Sequence, residues 1–172
     1  AYSQPRYNAV INLMKDNEIE LLNSFKRNAK RYYGEFQEKR GVSFICSHNT
    51  EYLDDFSKII ESTEKRQGIS LRNKEYFKRI MDTYKSDAYM YIARIEVDKF
   101  ISFLEKEIIK EKDETLKSKY NEQLVDAIKV KKEYGNIISL SATLAIIPPN
   151  KNGVKNVEFL YAGTFEEAFS YL

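Results

Sequence analysis

AYMYIARIEV (88–97), DKFISFLEKEIIKEKDETLKSKYNEQLVDAIKVKKEYG (98–135) and IISLSATLAII (137–147) together decide the fold of this chain. The outer two segments are dense in tyrosine and β-branched residues and read as strands of a buried sheet. The middle one is helical in pattern from 98 to 134, with Ile101, Leu104, Ile108, Leu116, Leu124, Ile128 and Tyr134 as its apolar seam. No glycine or proline interrupts it before Gly135. As a single rod it would run about 54 Å at about 1.5 Å per residue and carry the second strand far from the first. The pattern therefore predicts a fold-back near DETLKSKYN (113–121), giving an antiparallel helical hairpin that stands out from the sheet.

Outward from this arm, the earlier chain alternates. YNAVINL (7–13) is a β-branched strand candidate after Pro5, and VSFICS (42–47) a second. From Asp16 to Arg40, Ile19, Leu22, Phe25, Ala29, Tyr32 or Tyr33, and Phe36 recur at helical spacing and predict one helix, which Gly34 weakens by about 1 kcal/mol and Gly41 stops. TEYLDDFSKIIESTEKRQG (50–68) is a helix with Thr50 as candidate N-cap and Gly68 as its end. NKEYFKRIMDTY (73–84) is another, capped by Asn73 and buried through Phe77, Ile80, Met81 and Tyr84. A last strand, 156–162, follows the turn chemistry of PPNKNGVKN (148–156). The expected order is β, α, β, α, α, β, helical hairpin, β, β, α: a mixed α/β (α+β) domain with helices packed on a central sheet.

Hydrophobic residues make up 42% and charged residues 31% of 172, a globular composition with a highly charged surface. The net charge of +2 is too small to imply nucleic acid by itself, so such an argument must rest on local clustering. One cysteine, Cys46, excludes a disulfide framework and suits a reducing cytoplasm. No apolar run approaches the roughly 20 residues of a membrane span. The chain opens on Ala1 and closes on FEEAFSYL (165–172), a helix start with no stop signal; both ends predict a piece of a longer protein.

Catalytic textures are sparse. Cys46 and His48 are the sole thiol and imidazole, two apart at a strand end, and read as a packed cysteine and a solvent-facing loop histidine. They cannot form a four-ligand zinc site, and no GxxxxGK[ST] or GxGxxG is present, so neither metal nor cofactor is expected. The carboxylates lie on helix faces with lysines at i+4 and read as solvated pairs. FKRNAKRYYGEFQEKRGVSF (25–44) is the sharper feature. Arg27 and Arg31 share a face, Lys26 and Lys30 form the adjoining row, and tyrosines lie beside them. Such arginines can fork onto phosphate oxygens; equally, the row can be a plain charged outer face. The arm from 98 to 133 carries nine lysines against nine acids and is not a generic polyanion binder.

QPRYNAVINL, LLNSFKRNAKRYYGEFQEKRGV, ESTEKRQGISLRNKEYF, YIARIEVDKF and FLYAGTFEEAF, in this order, resemble the FemABX family of non-ribosomal peptidyltransferases, which build peptidoglycan interpeptide bridges. The resemblance runs from end to end of the chain. Arg31 and Tyr32 match the family's helix-ending Lys-x-x-Arg-Tyr-Asn, whereas Tyr33 stands in place of the asparagine. Glu61, Thr63 and Arg66, followed by Arg72 and Tyr76-Phe77, match its Glu-Thr-x-x-Arg and Arg-x-x-x-Tyr-Phe positions. Tyr161, Ala162, Gly163 and Thr164 resemble its Tyr-Ala-Gly-Gly-Thr strand end with one glycine lost, and Leu160 stands where some members carry lysine.

The resemblance implies two acetyltransferase-like (GNAT) domains per enzyme. This chain would supply the end of the first (1–15) and part of the second (16–172), with the hairpin inserted at about 98–134. It implies an aminoacyl-tRNA donor, a UDP-linked or lipid-linked muropeptide acceptor, a cytoplasmic enzyme that meets the inner membrane face only peripherally if the acceptor is lipid-linked, and a hairpin that helps contact tRNA. Arg31 would turn to the acceptor's phosphates, with Tyr76 reaching the same ligand and Arg27, Tyr32 and Arg72 beside them. No residue receives a catalytic role, and the chain alone is expected to be inactive. Two other classes stay open: a non-catalytic interaction module, and an RNA-binding domain using the basic helix 25–40 and the arm.

Overall fold

A computed structural model of the chain describes residues 17–27, 29–30, 39–149 and 156–165. The chain divides into two compact units, Ala1–Glu35 and Phe36–Leu172. In the first, helix α1 (Glu18–Ser24) starts at Asn17, whose side chain accepts from the Glu20 N–H at 2.9 Å; Glu18 and Glu20 suit the positive end of the helix dipole. The expectation of one unbroken helix from 16 to 40 is corrected here. Ser24 Oγ donates to the Leu21 carbonyl at 2.5 Å, and Phe25 turns extended with ψ 152°. A serine bonded back to its own helix competes with the ladder, and no glycine or proline marks the place. Helical residues resume at Arg27. The expected strand 7–13 and residues 31–38, Gly34 among them, lie outside the described residues.

The second unit is built on a four-stranded antiparallel sheet in the order β1 (Val42–Ser47), β2 (Ala88–Glu96), β3 (Ile137–Ile146), β4 (Glu158–Thr164). Helices α2 (Leu53–Gln67) and α3 (Lys74–Tyr84) bury Phe56, Ile59, Ile60, Phe77 and Met81 against Met90, Ile92 and Leu144. Helices α4 (Val97–Lys110) and α5 (Glu114–Tyr134) bury Phe100, Leu104 and Ala127 with Val42, Ile95, Ile138 and Leu140. Ile95 is an odd number of residues from Ile92, so strand alternation assigns the two cores to opposite faces. The register slips between Ala93 and Arg94, leaving Leu140 as the extra residue on β3, so that Ile138 and Leu140 face one core while Ala142 and Leu144 face the other.

Local chemistry sets the helix ends. Asn73 caps α3 by accepting from the Tyr76 N–H at 3.1 Å, and Asp113 caps α5 by accepting from Thr115 and Leu116 at 2.8 and 3.2 Å. Thr50 is not the cap of α2. Asn49 Oδ1 takes the Glu51 N–H at 2.9 Å in an Asx turn, which delays the helix to Leu53, and Tyr52 in the cap position makes no side-chain bond. Gly41, at φ +73°, lies so close beneath α4 that a Cβ there would stand 2.7 Å from the Glu96 carbonyl oxygen.

The chain reverses between α4 and α5 at Glu111–Asp113, at the early edge of the expected 113–121. Glu111 accepts from Lys112 and Asp113 N–H groups at 2.9 and 3.0 Å, closing the turn. The seam differs from the expected one. Phe100 and Ala127 join Leu104 in the core, while Ile128 and Leu116 are 54% and 41% exposed. Ala127 fills the close contact, and the next residue, about 100° further round, faces outward. At the base of the arm the Val97 N–H bonds to the Asn136 carbonyl at 2.8 Å, and the Asp98 N–H to Asn136 Oδ1 at 2.9 Å.

Candidate functional site

Three segments meet at one end of the core between the sheet and α2–α3. The Asn73 cap fixes the first turn of α3, which presents Tyr76 outward and Phe77 inward. Arg72 immediately precedes the cap. Its guanidinium carbon stands 5.3 Å from the centre of the Tyr76 ring, a cation–π contact. From β4, Tyr161 packs edge-on against Phe77 at 5.0 Å and Tyr76 at 6.2 Å between ring centres. Burial, and then its hydrogen bond and interaction with Tyr76, raise the Tyr161 phenol above its ordinary value, while Arg72 pulls the other way. At neutral pH Tyr161 is therefore a protonated donor. A forked guanidinium, a phenol donor and an aromatic face together suit an anionic oxygen attached to a flat or apolar group.

The strand carrying Tyr161 is seated by a second set of contacts. Thr63, buried in α2, accepts from the Thr164 N–H at 3.1 Å, and its hydroxyl oxygen lies 3.0 Å from the Ile59 carbonyl oxygen and 3.4 Å from that of Thr164. An Arg66 guanidinium N–H donates to the Thr164 carbonyl at 3.3 Å. A Cβ at Gly163 would lie 2.8 Å from Thr63 Oγ1 and 3.0 Å from an Ile59 methyl carbon. The chain before Arg72 is anchored too, since the Leu71 N–H donates to the Glu64 carboxylate.

Of the sequence-based candidates, Arg72 and Tyr76 are brought together. Arg27 is exposed and belongs to the first unit, and Arg31 and Tyr32 lie outside the described residues. In the sequence Tyr161 stands out only as part of a strand end; its signal is the spacing Tyr161-x-Gly163, which places a large ring and a bare backbone on the same face of one strand.

Cys46 is not packed as expected. It is exposed, with Phe44, on the sheet face opposite α2 and α3, beyond the part of that face where Val42 joins the α4–α5 core. His48 is exposed, with Nδ1 2.9 Å from the Ala88 carbonyl oxygen and its ring edge-on to Tyr89 at 4.6 Å. Arg94 is engaged structurally: it pairs with the Asp55 carboxylate, donates to Ser139 Oγ at 3.2 Å and lies 4.6 Å from the Tyr52 ring centre. Among the described residues no group of three or more His, Cys, Asp or Glu side chains is placed to hold a metal ion.

The family model described as the FemAB family matches residues 1–125. The lipid II:glycine glycyltransferase of Staphylococcus haemolyticus (strain JCSC1435) is 28% identical over 134 residues, which cover 76% of this chain and 31% of that protein. A solved structure described as the crystal structure of FemX aligns with a TM-score of 0.58 at 22% identity, over 88% of this chain and 43% of that one. The chain thus spans about a third of the curated relative's length, and less than half of the FemX chain.

Proposed function

This chain belongs to the FemAB family, and from that premise we propose that it is part of an aminoacyltransferase of peptidoglycan interpeptide bridge synthesis. The convergence of Arg72, Tyr76 and Tyr161 carries the reading, because it presents anion donors beside aromatic surface at matched family positions. We assign this cluster to the phosphate-bearing part of a muropeptide acceptor. On the resemblance we assign Arg31, flanked by Arg27 and Tyr32, to the same ligand. The fold is read as part of an acetyltransferase-like domain, with α4–α5 as a hairpin inserted between β2 and β3.

The donor is an aminoacyl-tRNA. The acceptor's neutral amine attacks the ester carbonyl, a C–N bond forms, the C–O bond to the ribose breaks, and the amine's proton leaves to the departing oxygen or solvent. Such a step needs positioning and oxyanion donors more than a special nucleophile, in keeping with the sparse catalytic textures of the chain. The relative's name specifies lipid II and glycine, which favours a lipid-linked acceptor; on the family resemblance we infer a cytoplasmic enzyme that meets the membrane face peripherally. Among the described residues no helix is long and apolar enough to cross a membrane.

The test uses the full-length protein that contains these residues. A charge-assisted fork is worth about 1.5–3 kcal/mol, so Arg72→Ala should weaken binding of a lipid-linked muropeptide in detergent micelles by about 10- to 150-fold. Arg72→Lys keeps the charge without the fork and should recover part of it. Binding of charged tRNA should not change. Loss of tRNA binding with normal muropeptide binding would favour the RNA-binding alternative, whose affinity should also fall steeply with salt.

A further inference from the structure

We propose that Thr63 and Gly163 are positioning residues for this site: they seat β4 on α2 at the height that brings Tyr161 onto Arg72 and Tyr76. The inference rests on the reading that the cluster binds the acceptor.

The strand ladder does not fix that height by itself. Among the described residues β4 is paired on one side, to β3, and its register slips between Leu144 and Ala145: Tyr161 faces Leu144 while Phe159 faces Ala145, leaving Leu160 extra. A strand bulged just before the functional residue needs a second anchor. Tyr161 and Gly163 share a face by alternation, and that face meets the helices. With no side chain at 163 the backbone descends until Thr63 Oγ1 takes the Thr164 N–H at 3.1 Å. Any Cβ at 163 would meet Thr63 Oγ1 at 2.8 Å and the Ile59 carbonyl oxygen at 3.1 Å, lifting the strand and its tyrosine away from α3. Thr63 is 5% exposed, so it acts on a ligand through β4 and not by touching it. Arg66 completes the anchor at the Thr164 carbonyl.

The test compares Thr63→Val, Thr63→Ser and Gly163→Ala in the full-length protein, each alone and with Tyr161→Phe. The probes are binding of a lipid-linked muropeptide in detergent micelles, a thermal melt, and titration of the Tyr161 phenol by NMR with labelled tyrosine. Thr63→Val and Gly163→Ala should each weaken binding about tenfold, as for one lost hydrogen bond at the site, and Thr63→Ser should restore most of it. In both weakened variants the Tyr161 phenol should titrate closer to its ordinary value. In the Tyr161→Phe background the same substitutions should cost no further binding, the signature of an effect carried through that ring. A lower melting temperature with unchanged binding and an unmoved phenol would overturn the proposal. If Tyr161→Phe alone binds the muropeptide normally, the acceptor reading fails. The phenol titration then still decides the positioning: a shift in Gly163→Ala or Thr63→Val upholds it, and none rejects it.

Discussion

Lys131 Nζ lies 2.6 Å from the Asp98 carboxylate, although the two residues are 33 positions apart. The contact ties the last turn of α5 to the first turn of α4 and so defines the arm as two helices side by side. Spin labels at Asp98 and Glu133 should therefore lie within about two helix diameters, roughly 20 Å. A separation near the ~50 Å of a continuous rod would refute the arrangement. The ion pair itself contributes little: its side chains are 41% and 52% exposed, and Lys131→Ala should cost at most about 1 kcal/mol in urea unfolding.

The arm's apolar residues are not equivalent. Leu104 is fully buried against the sheet and Ile128 is 54% exposed. Leu104→Ala should destabilise the protein by about 2–5 kcal/mol. Ile128→Ala should change stability by no more than about 0.5 kcal/mol. Equal losses at the two positions would show that the seam has been drawn on the wrong face of α5.

Two glycines with positive φ separate backbone strain from crowding. Gly68, at φ +63°, has nothing within 4 Å of where a Cβ would sit, whereas Gly41, at φ +73°, would drive one onto Glu96 and Lys99. Gly68→Ala should cost about 1–2 kcal/mol, the penalty of left-handed backbone alone. Gly41→Ala should add roughly 1–3 kcal/mol of overpacking to that. Chemical denaturation of the two variants side by side reads the difference.

Two phenols impose a pH dependence. Burial, chiefly, raises both Tyr161 and Tyr91 above the ordinary phenol value, with Tyr76 and Cys46 respectively adding to the effect. A group that holds its proton more tightly when folded contributes stability that is fully present below the unfolded pKa, about 10, and is lost as pH rises through the folded value. Unfolding free energy should thus decline above about pH 10, and the double variant Tyr91→Phe, Tyr161→Phe should decline less steeply, with Tyr161 carrying most of the difference because Tyr91 is 44% exposed and screened by solvent. Parallel slopes for wild type and variant would mean that neither phenol is perturbed by the fold.

Much of this architecture is legible because it rests on local rules. Asn73 begins a helix, Gly68 ends one, and tyrosine-rich β-branched runs on either side of a helical stretch demand that the stretch return. The arm's seam is less legible. Period 3.6 marks a stripe of candidates but does not tell which position sits close enough to require Ala127 in place of a larger neighbour. The break at Phe25 follows from one hydroxyl, Ser24 Oγ, turning back on its own helix, a choice that propensity does not encode. The exposure of Cys46 is not legible in the sequence, because a strand's buried and open faces depend on which helices cover it. Tyr161 reaches Tyr76 through strand register and through the missing side chain at Gly163, and neither is visible to spacing along one segment.

Glu96 on β2 pairs with Ile137 on β3, and the backbone bond from Val97 to Asn136 at 2.8 Å closes immediately above them. Topologically, then, the whole of α4 and α5 is the loop of a single β-hairpin, and its ends meet whatever its length. The entropy of closing such a loop grows only logarithmically, by about 0.6 kcal/mol per doubling. The arm is consequently an interchangeable module. Paired helical turns can be added or removed, or its outer surface rewritten, while β2 and β3 stay in register and the rest of the sheet keeps its shape.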